Sequence, residues 1–127
     1  MKEFIGLINR IRRENPALHR DESLQFHPID NDYLLAYRKQ SSDGSNIVLI
    51  VVNLSPYHIH SGWLELDLGA LGVQADRSFQ VQDLLTHAYY VWQGPRNYVQ
   101  LDPRSVPAQI FAVRHNLRRE EDFDYYL

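Results

Sequence analysis

His58 and His60 are the first residues whose spacing suggests chemistry. Alternate positions on an extended strand put both rings on one side, which is how a zinc ligand set begins. Two ligands do not close a zinc site, and His19, His27, His87 and His115 are scattered among turns and strand ends. The six read as ordinary polar histidines, so no metal and no cofactor is expected. Asp30 and Asp32 flank Asn31, and a carboxylate pair is what glycoside hydrolysis needs, one as acid and one as nucleophile or base. A turn is the better reading, because Asp and Asn side chains accept hydrogen bonds from nearby backbone amides. Ser41, Ser42, Ser45, Ser55 and Ser61 sit among turn residues, and no Gly-x-Ser-x-Gly elbow surrounds any of them. Gly69 and Gly72 enclose Ala70 and Leu71 without the third glycine and following helix of a phosphate cradle. No catalytic residue is assigned.

Aromatic side chains are the remaining candidates. Trp63, Tyr90 and Trp92 are expected on strand faces opposite the clearest apolar alternation, where rings can stack on sugars while polar neighbours bind hydroxyls. They are the carbohydrate-binding candidates. Packing in the core or against another domain explains the same residues, because large aromatics dominate sandwich cores. Sugar binding by the isolated domain is therefore expected to be weak or absent.

Composition narrows the function classes. A chain of 127 residues, 44% hydrophobic and 23% charged, suits one domain with a single moderate core. A net charge of −3 offers no basic face for polyanions, which argues against nucleic acid. With no cysteine, nothing requires an oxidising compartment. Glu3, Asn9 and Arg10 interrupt the apolar N-terminus before a signal-peptide core can form, and no run reaches membrane-spanning length. The expected location is the cytoplasm, without membrane contact.

Two periodicities organise the chain. Phe4, Leu7, Ile8 and Ile11 fall at helical spacing, Arg10, Arg12 and Arg13 crowd the C-terminal end of that helix, and Asn15-Pro16 stops it. The apolar stripe is expected to be only partly covered within one chain, leaving it for interdomain packing or for self-association of the fragment. The arginines read either as a solvated helix end or as part of that docking face. After the helix the period becomes two. Residues 33–38 and 47–52 read as a hairpin around a polar turn at 41–45, and the second strand is apolar on both faces. Further strands are expected at 24–27, 63–68, 79–83, 88–93, 98–101 and 109–114. The sum is an all-β fold, an antiparallel Greek-key-type β-sandwich of about eight strands preceded by one N-terminal helix. Val48, Ile50, Val52, Leu64, Leu66, Phe79, Val81 and Phe111 are its expected core.

Several short motifs occur in a telling order. Residues 11–18 (Ile-Arg-Arg-Glu-Asn-Pro-Ala-Leu) are followed by Asn53-Leu54-Ser55-Pro56 and Leu68-Gly69-Ala70-Leu71-Gly72. Asp83-Leu84-Leu85, Trp92-Gln93-Gly94, residues 97–103 (Asn-Tyr-Val-Gln-Leu-Asp-Pro) and residues 107–111 complete the set. Together they resemble the C-terminal end of α-amylase superfamily enzymes, and are most similar to the α-1,4-glucan:maltose-1-phosphate maltosyltransferase family. The resemblance runs from Phe4 to about Val113. Gln109 departs from an expected His, and Thr86-His87 from an expected Thr-Gly turn.

The resemblance implies three segments. Residues 1–20 would be the last helix of a catalytic (β/α)8 barrel and its exit, 21–115 a C-terminal β-sandwich, and 116–127 a charged, aromatic tail. It also implies a parent enzyme whose barrel carries an aspartate nucleophile and a glutamate acid and transfers maltosyl units with retention. A barrel needs about 250 residues, so those groups lie outside this chain. The chain alone is then expected to be no enzyme. Its partners would be the catalytic barrel and an α-glucan. A stand-alone carbohydrate-binding module and the end domain of a trehalose synthase or another amylase relative are the alternatives.

Overall fold

The computed structural model describes residues 2–19, 21–106 and 108–114. The tail expected at 116–127 lies outside them. The first helix, α1 (Lys2–Glu14), carries Glu3 in its first turn and Arg12 and Arg13 in its last, both favourable to the helix dipole. Asn15 ends it, since its side-chain amide turns back to donate to the Ile11 carbonyl at 2.9 Å. A short 3-10 turn, Pro16–His19, leads away.

Eight strands follow: β1 (Gln25–His27), β2 (Leu34–Gln40), β3 (Ile47–Asn53), β4 (His60–Glu65), β5 (Ser78–Asp83), β6 (Tyr89–Gln93), β7 (Arg96–Leu101) and β8 (Ala108–Arg114). Six form one sheet in the order β1-β2-β3-β8-β5-β6, while β4 and β7 form a second. Every strand pair is antiparallel. The chain crosses between sheets at both ends of β4 and of β7, which brings β8 between β3 and β5.

β3 explains the layering. Its Leu49 and Val51 join Leu64, Val99 and Leu101 of the small sheet, together with Phe79, Val81 and Phe111, in the main core. Val48 and Ile50 point the other way, onto Ala17 and Leu18 of the 3-10 turn. A strand buried on both faces has to be apolar at every position, which is why Ile47–Val52 lacks alternation. Of the expected core residues, Val52 alone is half-buried; the other seven are buried.

Two features differ from the sequence reading. β4 ends at Glu65 rather than at residue 68, because Asp67 caps a tight turn: its carboxylate accepts from the Ala70 amide and its carbonyl from the Leu71 amide. Leu66 and Leu68 are nonetheless buried in the core. Trp92 faces inward, in register with Phe79, rather than away from the apolar face. Along the helix stripe, Ile11 is 4% exposed, covered by Leu84 and Ala112 of its own sandwich.

The two departures from the family pattern also have structural settings. His87 adopts φ 69°, the left-handed region in which glycine is unstrained, in a turn where Asp83 accepts from the Leu85 and His87 amides. Burial raises the Asp83 carboxyl above its usual range, opposed by hydrogen bonds from the Leu85 and Thr86 amides and the Thr86 hydroxyl. Gln109 sits in register with Val51, on the core face, and its buried Oε1 has no hydrogen-bond partner among the described residues.

Candidate interdomain face and aromatic surface

The sandwich has two outer faces with different character. The outer face of the six-stranded sheet is covered along its middle by α1 and the 3-10 turn. Leu7 and Ile11 pack with Leu84, Leu85, Ile110 and Ala112. The helix exit is locked to the β2–β3 hairpin by an asparagine pair: Asn46 Nδ2 donates to Asn15 Oδ1 at 3.0 Å, and Asn46 Oδ1 accepts from the Ala17 amide at 2.8 Å. Asn15 is buried, so losing Asn46 would leave a desolvated amide oxygen without its partner.

This helix has two sides. Ile11 is buried, Leu7 and Ile8 are half-buried, and Ile5 is exposed. Arg12 and Arg13 are exposed at its end, and the Arg12 carbonyl contacts the His19 ring. The Phe4 side chain lies outside the described residues. Beyond the helix, the same sheet face leaves Phe26 of β1 and Tyr89 and Val91 of β6 uncovered. An amphipathic helix seated on one sheet and flanked by bare apolar side chains has the character of an interface surface.

The outer face of the small sheet holds the second cluster. Trp63 and Tyr98 stand opposite one another in the β4–β7 register, with ring centroids 5.5 Å apart and planes at 63°. The Arg96 guanidinium lies 5.4 Å from the Trp63 ring centroid, within range of a cation–π attraction. Asp30 Oδ2 is 3.7 Å from Arg96, while Asp30 Oδ1 accepts from the Trp63 amide at 2.6 Å. Asn31 donates to the Ser61 carbonyl and accepts from the Tyr33 amide, which makes the 30–32 segment the turn its sequence suggests.

The sugar-binding candidates are therefore separated. Trp63 is 43% exposed on the small sheet. Tyr90 is 42% exposed at the rim of the large one, its ring edge-on to Phe111 at 6.1 Å. Trp92 is 8% exposed, wedged edge-on against Phe79 and Phe111, and presents no free ring face. The sequence reading missed Tyr98 and Arg96. The signal was present: Asn97, Val99 and Leu101 alternate as the inward set, so Arg96, Tyr98 and Gln100 had to point outward. His60 stacks on Tyr33 at 4.5 Å and hydrogen-bonds Asn31, while His58 precedes β4 in the loop. Among the described residues no three His, Asp or Glu side chains gather in a way that could hold a metal.

Known proteins place this arrangement. Residues 26–113 match the family described as "GLGE, C-terminal". The chain belongs to that family. Its similar sequences include an α-1,4-glucan:maltose-1-phosphate maltosyltransferase of Streptomyces coelicolor, 47% identical over 111 residues, covering 87% of this chain and 16% of that protein. The enzyme of the same name from Corynebacterium glutamicum is 42% identical over 113 residues, covering 89% and 17%. The Myxococcus xanthus enzyme is 38% identical over 126 residues, covering 99% and 19%. The chain thus spans less than a fifth of the length of these relatives. In fold it is similar to parts of an Anoxybacillus α-amylase (TM-score 0.61, 13% identity, 88% of this chain and 22% of that one). The α-amylase of Geobacillus thermoleovorans gives a TM-score of 0.60 at 17% identity, covering 84% and 21%. The sandwich is thus a maltosyltransferase-type C-terminal domain, and its fold is like that of parts of α-amylases. No helix among the described residues is long and apolar enough to cross a membrane.

Proposed function

We propose that this chain is the non-catalytic end domain of an enzyme that transfers maltosyl units from maltose 1-phosphate onto an α-glucan, and that it docks on the catalytic barrel through the α1 side of its large sheet. The observation that carries the reading is the helix itself. Ile11 and the Asn15–Asn46 pair bind α1 into the sandwich, yet Ile5 is bare and Leu7 and Ile8 are half-covered. A helix placed this way belongs to two cores, its own sandwich and a neighbouring body, as the last helix of a barrel would. Leu7, Ile8, Arg12 and Arg13 line that junction, with Ile11 turned inward as its anchor. In the isolated chain the same stripe favours self-association. The absence of cysteine supports a cytoplasmic enzyme.

Maltosyl transfer with retention needs a nucleophile and an acid about 5–5.5 Å apart in a pocket. Four carboxylates have structural partners instead: Asp30 holds β4, Asp67 and Asp83 cap turns, and Asp102 pairs with Arg104 at 3.0 Å. Purified chain incubated with maltose 1-phosphate and glycogen is expected to release no phosphate above a buffer blank. Turnover that disappears when one of the chain's own Asp or Glu residues is substituted would overturn the reading.

A further inference from the structure

The geometry points to the outward face of the β4/β7 sheet as a contact site for an α-linked glucan chain. Trp63 and Tyr98 are the stacking pair, and Arg96 and Gln100 bind hydroxyls. The polymer's identity rests on the function proposed above, whereas the site rests on its own geometry.

Both rings are about half exposed, Trp63 at 43% and Tyr98 at 51%, and they face each other across the sheet. Polar groups frame them. The Tyr98 hydroxyl reaches Gln100 Oε1 at 3.4 Å, and Arg96 leans over the Trp63 ring. One guanidinium stands among two carboxylates, Asp30 and Glu65, the latter directly opposite Arg96 in register. With no surplus positive charge the face does not suit phosphate or nucleic acid. Aromatic rings among polar neighbours with no excess positive charge suit an uncharged polyhydroxyl chain.

Ring orientation narrows the polymer. A β-1,4-linked chain is flat and calls for coplanar rings. An α-1,4-linked chain curls, so successive sugars meet rings set at an angle, and Trp63 and Tyr98 are inclined by 63°. The corner is also fixed in advance. The Trp63 amide is tied to Asp30, and the loop bearing Asp30 approaches so closely that a Cβ on Gly62 would lie 2.9 Å from its carboxylate. A pre-set site loses less freedom on binding. Finally, the face lies across the sandwich from α1, so a catalytic body docked there leaves Trp63 and Tyr98 open. Two rings give weak binding to a short oligosaccharide, but on a long polymer the effective concentration of further contacts makes a weak site useful.

The test is a titration of maltoheptaose into the 127-residue chain with its two indoles labelled. The Trp63 indole signal is expected to shift saturably at millimolar sugar, while that of buried Trp92 stays in place and reports that the core is intact. Tyr98→Ala should weaken the binding seen at Trp63 by about five- to tenfold, and Gln100→Ala should weaken it less. Cellohexaose should bind more weakly than maltoheptaose. An unmoved Trp63 signal at tens of millimolar, equal binding of both oligosaccharides, or unchanged affinity in Tyr98→Ala with Trp92 unperturbed would each overturn the proposal. None of these results bears on docking through α1, which is tested with helix variants.

Discussion

Ile11→Glu is expected to unfold the domain at room temperature or leave it barely folded. The side chain is 4% exposed between Leu84 and Ala112, with Leu7, Leu18, Leu85 and Ile110 around it. The substitution removes about 1.5–3 kcal/mol of apolar burial. It also places a carboxylate among the apolar side chains of Leu84, Ala112, Leu7 and Ile110, adding a further penalty of about 3 kcal/mol. The sum approaches the whole stability of an ordinary domain, about 5–15 kcal/mol. Ile5→Glu, six residues away on the bare side, should change the unfolding free energy by less than about 0.5 kcal/mol. Circular dichroism during urea unfolding measures both. An Ile11→Glu midpoint equal to that of the wild type would mean that α1 is not seated on the sandwich.

The second large effect separates the two tryptophans. Trp92→Ala should cost about 3–5 kcal/mol, because the ring fills the space between Phe79 and Phe111 and little around it can collapse into the hole. Trp63→Ala loses a half-exposed ring and one cation–π contact, so less than about 1.5 kcal/mol is expected. Near-ultraviolet dichroism should follow the same division, with Trp92 providing the signal of a fixed core. Equal losses would contradict the assignment of one indole to the core and the other to the surface.

Much of this fold could be read from the sequence, for definite reasons. The switch from helical spacing at Phe4, Leu7, Ile8 and Ile11 to alternation after Leu24 located the helix and the strands, and the unbroken apolar run Ile47–Val52 marked the strand buried on both faces. The β4 boundary was misjudged because Leu64, Leu66 and Leu68 alternate equally well through a strand and through a capped turn; Asp67 decides between them by hydrogen bonds that the apolar pattern does not show. Trp92 was misplaced for a related reason. β6 reads Tyr-Tyr-Val-Trp-Gln, with no polar face to orient it, so its inward side is set by the register against β5 rather than by its own residues. The opposite ring pair was legible only after β4 and β7 were paired, since nothing local links Trp63 to Tyr98. Asn15 was legible only as part of the Asn-Pro stop of the helix, and its pairing with Asn46 depends on a contact across thirty-one positions.

Docking through α1 is tested most directly by fragment pairing. The Corynebacterium glutamicum relative can be shortened to remove the segment that matches this chain, and that segment, supplied separately, serves as the positive control. Under conditions in which the control binds the shortened enzyme, this chain should bind it in light scattering at a one-to-one ratio. Ile5→Glu combined with Ile8→Glu, neither of which packs in the Ile11 cluster, should abolish that binding while preserving the β-sheet dichroism of the chain. Failure of the folded chain to bind where the control does, or undiminished binding by the double variant, would contradict a domain that joins its catalytic barrel through this helix.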